Sequence, residues 1–559
     1  MKTFHKYILI GALTLSVTAC DLDMVPETTM TDSSYWKTEG DLRGACNRFY
    51  EQMNGNNDLG DGFKHDYRSD ELTTGGANSI SSGNVQVPST NGAWTDAYWR
   101  IFIANNIIEK AARADVTPEV LNKYLAEARF FRGYYYFELT KKYGDVPLLM
   151  KAVNNTADPD LMMPRTPRAD VIAQVYSDLE FAAEWLPDID KLDKWGHVAR
   201  QAAIAMIARV GLYEGTRMKY HSDQSSDYRT HLKKSIDAAA ELIASGKHSL
   251  YPDFEKLFQD VAEGRQNREN IFVKEYGPNG SAATTTHGTI RQMENTVSVT
   301  RNVVDLFLYT DGLPREKSAY TITPETSYDD VFTNRDPRLG MTCYRIGEEA
   351  YKGAFRPHNF HRGYSIKKGF DLNQWSTNSK EWTDWMAIRY AEVLITYAEA
   401  LYEYNGSITD DQLDQTVNAL RKRVGMPAML TNTFASANGL DMLEEIRRER
   451  TVEFIDENKR YDDIIRWKIA EKVLPVDIIG ALCPAEEVAS QSKYDELKDR
   501  LTVGGQLRGK QRYETQDDLY VIEFAEDRRF NTNRDYLYPV PLYEIAQSGG
   551  AVTQNPGWE

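Results

Sequence analysis

Three tryptophans, Trp375, Trp382 and Trp385, fall between Leu372 and Met386 beside the amides of Asn373, Gln374 and Asn378. Flat rings set next to hydrogen-bond donors and acceptors are what a stacking site for a flat or sugar-like ligand requires. Three Trp in one polar stretch is also unusual for a solvated loop. A second mixed set, Asp66, Tyr67, Arg68, Asn78 and Asn84, precedes Trp94, and a sparser third is His287, Arg291 and Asn295. The alternative for each ring is burial at a helix end, since large aromatics bury more often than they bind.

Covalent and redox chemistry find no comparable footing. The chain has no HExxH, no GxSxG and no GxGxxG following a strand. Gly504 to Gln511 approaches a phosphate-binding loop, but Gln511 stands where a Ser or Thr hydroxyl should hold magnesium, and no apolar strand precedes it. The histidines are scattered, with no pair at i, i+4 on a helix, so no metal ligand and no cofactor is expected. Glu444, Glu445, Glu449 and Glu453 interleave with Arg447, Arg448 and Arg450, which reads as a charged helix face laced by i,i+3 and i,i+4 pairs. A pair of carboxylates flanking a sugar cleft, as a glycosidase needs, has no signature in spacing alone. No catalytic residue is assigned.

With 66 Lys+Arg against 83 Asp+Glu, the 559-residue chain carries a net charge of -17, which argues against a nucleic-acid partner. Aromatics make up 11% of it, enough for aromatic helix packing or a stacking surface. Lys2 and Lys6 precede an apolar run from Tyr7 to Val17 that is too short to span a bilayer, and Val17-Thr18-Ala19-Cys20 follows. This predicts a lipoprotein signal peptide over residues 1–19 and lipidation at Cys20, with 20–40 as the lipidated N-terminus and tether. The other cysteines, Cys46, Cys343 and Cys483, form neither a disulfide framework nor a zinc site and read as buried thiols.

The elements that must position these residues are helical. Ile101, Ala104, Ile108 and Ala111 recur on one face, as do Tyr124, Ala128, Phe131 and Tyr135, and Ile172, Val175, Leu179 and Ala182. Further helices run from about Val198 to Arg217, His231 to Ser245 and Ile388 to Leu401. Short Pro- or Gly-bearing turns part them, and small Ala positions suit hairpins that stack into a TPR-like core without a strict repeat. Between them lie long Gly-, Asn-, Ser- and Thr-rich stretches of the kind that carry function.

Several segments together resemble the SusD/RagB-type surface lipoproteins. They are Cys20 to Asp23; Trp94 to Asn105 (WTDAYWRIFIAN); Glu127 to Leu148 (EARFFRGYYYFELTKKYGDVPL); Asp336 to Leu339; and Arg389 to Leu401 (RYAEVLITYAEAL). Arg421 to Pro427, Glu444 to Trp467 (EEIRRERTVEFIDENKRYDDIIRW) and Gln554 to Trp558 complete them in order. One departure is Asn458, where the family has Gly before its Lys-Arg pair; Asn is the next-best residue for a left-handed backbone, so a helix C-cap is expected to survive there.

The resemblance implies a predominantly α fold: a TPR-like helical-hairpin scaffold of about four units with a large irregular, loop-rich ligand-binding portion. The body would span 41–559 as one composite unit, with helices mainly in 95–246 and 386–468 and ligand-binding loops in 54–94, 276–300 and 349–385. It further implies a non-catalytic glycan-binding lipoprotein on the outer membrane, partnered by a SusC-like TonB-dependent transporter. Peptide capture within the same family, or a surface glycoside hydrolase, are the alternatives. Sugar CH faces pack on rings and sugar hydroxyls need polar partners. The expected contacts are therefore Trp94, Trp375 and Trp382 for stacking, with Asp66, Arg68, Asn78 and Asn373 for hydrogen bonds. Trp99, Trp185 and Trp467, on helices, are expected in the core.

Overall fold

A computed structural model describes residues 35–53, 66–155, 157–221, 227–276, 297–350, 353–357, 363–378, 383–503, 505–507, 510–511 and 516–559. Cys20, Trp382, His287, Arg291 and Asn295 lie outside the described residues, as does most of the 276–300 loop.

The fold is predominantly α. Six helices lead it: α1 (Glu39–Gln52), α2 (Gly92–Lys110), α3 (Pro118–Tyr143), α4 (Arg168–Trp185), α5 (Arg200–His221) and α6 (Tyr228–Ala244). Local sequence sets their ends. Thr38 and Asp41 form a reciprocal capping box on α1; Thr117 caps α3 with Pro118 in its first turn; and Gly144, at φ 73°, stops α3.

Successive helices run antiparallel. Trp94 meets Tyr143 at one end of the α2–α3 pair, while Arg132 donates to Asn105 at the other. Arg168 at the start of α4 donates to the Thr140 carbonyl near the end of α3, and Arg132 pairs with Asp178 further along (2.7 Å). In the α5–α6 pair, Ser235 donates to the Ala208 carbonyl and Arg200 pairs with Glu241. Gly211 lets these two close up, because a Cβ there would sit 2.6 Å from the His231 carbonyl oxygen. The helix Tyr390–Asn405 packs on α5 and α6 and joins α1–α6 in the main hydrophobic core.

Among the described residues, the five sheets hold only two or three strands each. Asn270–Lys274 pairs antiparallel with Trp385–Arg389, which runs into the Tyr390 helix. Leu72–Thr73, Ser298–Val299 and Tyr364–Ser365 form a sheet that pins the first loop to the second core. Gln506–Leu507 folds back on Lys510–Gln511 as a hairpin, so the segment that approaches a phosphate-binding loop starts no helix. Cys46, Cys343 and Cys483 are buried, and none of the three is in a disulfide.

The charged helix differs from its expected form. Glu445, Glu449, Glu453, Arg447 and Arg450 on Met442–Glu453 are buried, and most of their partners lie on other elements. Glu449 pairs with Arg338 and Arg421, Glu453 with Arg389, Arg423 and Arg338, Arg447 with Glu403, and Arg450 with Asp463. Only Arg447–Glu444 and Arg448–Glu445 are i,i+3 pairs. The reason is packing: this helix is an internal strut whose charges are matched by facing segments and withdrawn from water. Asn458 does take the left-handed backbone, at φ 57°, but in the turn before Lys459; the helix itself ends at Phe454.

Candidate functional site

A groove of about 180 Å³ opens between the first loop and a late segment of the chain. Ser79, Ile80, Gly83, Val85, Gln86 and Pro88 form one wall; Phe530, Leu537, Tyr538 and Pro539 form the other; Tyr461 and Trp558 close the bottom.

The loop wall is shaped by Asn78. Its side-chain oxygen accepts from the Ile80 and Ser81 amides (2.8 and 3.3 Å), and its carbonyl accepts from the Ser82 amide and hydroxyl. That turn ends at Gly83, with φ 71°, where a Cβ would stand 2.0 Å from the Arg529 carbonyl oxygen. The two walls are then stitched together. Arg528 donates to the Ser81 carbonyl (2.9 Å), Arg529 to Asn84 Oδ1 (2.7 Å), and the Leu542 and Tyr543 amides to the carbonyls of Pro88 and Ser89.

The far wall is a run of aromatics. Tyr538 is half-buried, its amide donating to the Lys142 carbonyl at the end of α3 (2.7 Å), and its ring lies 6.3 Å from that of Tyr461. Phe530 packs edge-on against Tyr536 (4.8 Å). Trp558 donates Nε1 to the Leu537 carbonyl (3.0 Å) under the guanidinium of Arg534 (4.2 Å). Burial pushes the Tyr461 phenol well up, so it stays neutral. Asp535 is spent on the Asn531 amide and Arg534, and Asn91 on capping α2. Ser79 and Gln86 are exposed on the loop wall. The groove thus offers aromatic faces on one side and a hydroxyl and an amide on the other.

Three expected contact residues stand behind the walls of the groove and are not among the residues that line it. Asp66, 1% exposed, and Arg68, 7% exposed, form a bidentate buried pair (2.8 and 3.0 Å). Arg68 also donates to Tyr538 Oη (3.1 Å) and lies over the Tyr461 ring (4.7 Å), so this pair positions the aromatic wall. Asn78 sets the opposite wall through backbone bonds. The structure places Trp94 away from the groove: at 3% exposed it packs against Tyr143 and Tyr98 in the main core, because the loop–helix junction that bears it is covered by α3.

Asn373 is exposed, on the short helix Leu372–Asn378, and does not line the groove; Trp375 is carried by the same helix. Among the helix tryptophans, Trp467 is buried and donates to Glu399. Trp99 is not in the core: it is 50% exposed, stacked on Phe102. Sequence reasoning missed Tyr461, Phe530, Tyr538 and Gln86. A signal existed, since Phe530 to Tyr538 interleaves Phe, Tyr and Tyr with Asn531, Asn533 and Asp535.

Residues 254–558, more than half of the chain, match the family model described as SusD family; residues 22–212 match one described as starch-binding associating with outer membrane. A SusD-like protein of Formosa agariphila is 25% identical over the full length of both chains. One of Bacteroides ovatus is 23% identical over 83% of this chain and 82% of its own. Among solved structures, a SusD-like carbohydrate binding protein from Bacteroides fragilis superposes with a TM-score of 0.72 at 24% identity, over 92% of this chain and 98% of its own. The surface glycan-binding protein A of Bacteroides fluxus gives 0.62 at 21%, over 93% and 100%.

Proposed function

The chain belongs to the SusD family, and from that premise we propose that it is a non-catalytic glycan-binding lipoprotein that captures oligosaccharide at the outer membrane and passes it to a SusC-like TonB-dependent transporter. The observation that carries the binding half is the groove, where aromatic rings face a hydroxyl and an amide across an open cleft. Its volume is below the 300–1,000 Å³ of an enclosed small-molecule pocket, so it takes one end of a ligand and leaves the rest of the chain outside. The names of the relatives support the same ligand class: one is a carbohydrate binding protein, another a surface glycan-binding protein. The signal-like start, with Cys20 after Val17-Thr18-Ala19, supports anchoring by acyl chains.

The test is calorimetric titration of the purified protein with a panel of neutral and acidic oligosaccharides, then of Phe530→Ala and Gln86→Ala. By analogy with base stacking, loss of one ring platform weakens binding by about 1–3 kcal/mol, roughly 5- to 150-fold. If folded groove variants bind as the parent does, the site lies elsewhere. If peptides bind and no oligosaccharide does, the ligand class is wrong.

A further inference from the structure

A second surface lies outside the groove, on the solvent side of α2. Among the described side chains Trp99 is the only tryptophan that stands exposed, and its ring is stacked on that of Phe102 one turn on (5.4 Å, 14° between planes). The core does not call for it: Trp94, Ala97, Ile101 and Ala104 already fill the buried side of the helix. A large ring left in water is unfavourable unless something packs on it. The stack on Phe102 steadies the indole, so a ligand meets a rigid face with little freedom to remove.

Polar groups flank the two rings. Asp96, Trp99, Phe102 and Asn106, spaced by three, three and four residues, share one stripe of α2. The side chains of Asp96 and Asn106 have no hydrogen-bond or ion-pair partner among the described residues, so a carboxylate and an amide are open at the two ends of the stack. That pattern suits the CH face and the hydroxyls of a sugar. A protein partner fits it less well, because the centre of a protein interface is depleted of charge and would desolvate the Asp96 carboxylate without pairing it.

The stripe continues from the groove. Asn91 both caps α2 and lines the groove, and Trp99 follows it along the same helix. At 1.5 Å per residue the separation along the axis is about 12 Å, and about two turns bring Trp99 round to within a quarter-turn of Asn91. The groove holds one end of a glycan and leaves the remainder outside. Resting on that reading of the groove, we propose that the Trp99–Phe102 pair is a second sugar-stacking subsite, which receives the part of an oligosaccharide that projects from the groove, with Asp96 and Asn106 bonding its hydroxyls. Short glycans then fill the groove alone and longer ones fill both places, so affinity depends on chain length.

The full chain is titrated by calorimetry with malto-, xylo- and manno-oligosaccharides, each from the disaccharide to the octasaccharide. In the series that binds, affinity rises with length and then levels off. Trp99→Ala weakens the octasaccharide at least about fivefold, the lower bound for one lost stacking platform, and its effect vanishes for the disaccharide, with Tm held because the ring is outside the core. Asp96→Ala, which keeps both rings, also acts on the octasaccharide alone. Phe530→Ala weakens short and long ligands alike. Loss with Phe530→Ala but none with Trp99→Ala keeps the groove and overturns the subsite; loss with Trp99→Ala at every length, or with no loss from Phe530→Ala, overturns the continuity between the two. If none of the three series binds, the groove reading falls and takes the subsite with it. Unchanged glycan affinity in Trp99→Ala, together with failure to recover a larger membrane protein in mild detergent, overturns the proposal and assigns the face to a protein partner.

Discussion

Tyr538 is gripped at its amide by the end of α3 and at its hydroxyl by Arg68, and it lines the groove. Its two ends are therefore separable by mutation. Tyr538→Phe keeps the ring and removes the acceptor for a buried guanidinium, so unfolding in urea should register a loss of about 1–3 kcal/mol while glycan affinity changes little. Tyr538→Ala should lose affinity as well. Trp94→Ala, by contrast, empties a core site: a loss of about 3–5 kcal/mol in stability is expected, with an unchanged dissociation constant for the protein that remains folded. A Trp94 variant of parental stability and weakened binding would return that ring to the site.

At the scale of elements, the short helix Leu372–Asn378 and the strand after it are braced by carboxylates. Asp371 accepts from the Asp260, Asn373 and Gln374 amides (3.1, 3.0 and 3.2 Å), Glu263 from the Asp384 amide (2.9 Å), and Asp384 from the Tyr276 amide (2.9 Å). Burial raises Glu263 to about 8 with Asp384 beside it, Asp384 to about 7 with Glu275 beside it, and Asp260 to about 6 through its bond to Asp371. Carboxylates whose folded pKa is raised contribute stability that is full below about pH 4 and is lost as pH rises through about 6–8. Amide exchange at Asp260, Tyr276 and Asp384, corrected for its intrinsic pH dependence, should therefore accelerate over that window, and Asp384→Asn should flatten the response. Gly83→Ala is a second test at this scale. The clash with the Arg529 carbonyl should free the first loop and expose Ser79 to Asn91 to protease while α2 and α3 stay intact.

The helices of this scaffold were legible because a 3.6-residue period reports burial on one face. The Met442–Glu453 strut was not, because an i,i+3 charge pattern is the same on a solvated face as on a buried one; only the facing Arg338, Arg389 and Arg421 distinguish them. The burial of Trp94 was not legible, because a loop–helix junction in sequence says nothing about what covers it in space. The groove stayed hidden for a related reason: composition flags Phe530 to Tyr538, yet nothing local says that this stretch meets Ser79 to Pro88.

For the whole molecule, the proposed function requires an anchor and a partner. Cys20→Ala should move the protein from membrane to soluble fractions, and retention through carbonate and detergent partitioning would remove the lipoprotein reading. Mild extraction with a tag at Glu559 should recover a much larger membrane protein, and a lone monomer in several mild detergents would count against the transporter. Incubation with a bound glycan should leave its chain length unchanged, because capture alone breaks no bond. The stitching of the groove reaches further still. Arg68 meets Tyr538 across 470 positions, and Arg528 meets Ser81 across 447. Contacts of such span form only after nearly everything between them is in place, so a nicked, half-folded or prematurely ended chain has one wall of the groove and not the other. Under the proposed function, capture is thereby tied to integrity: a defective copy would be blind to the ligand and would not hold it away from intact neighbours.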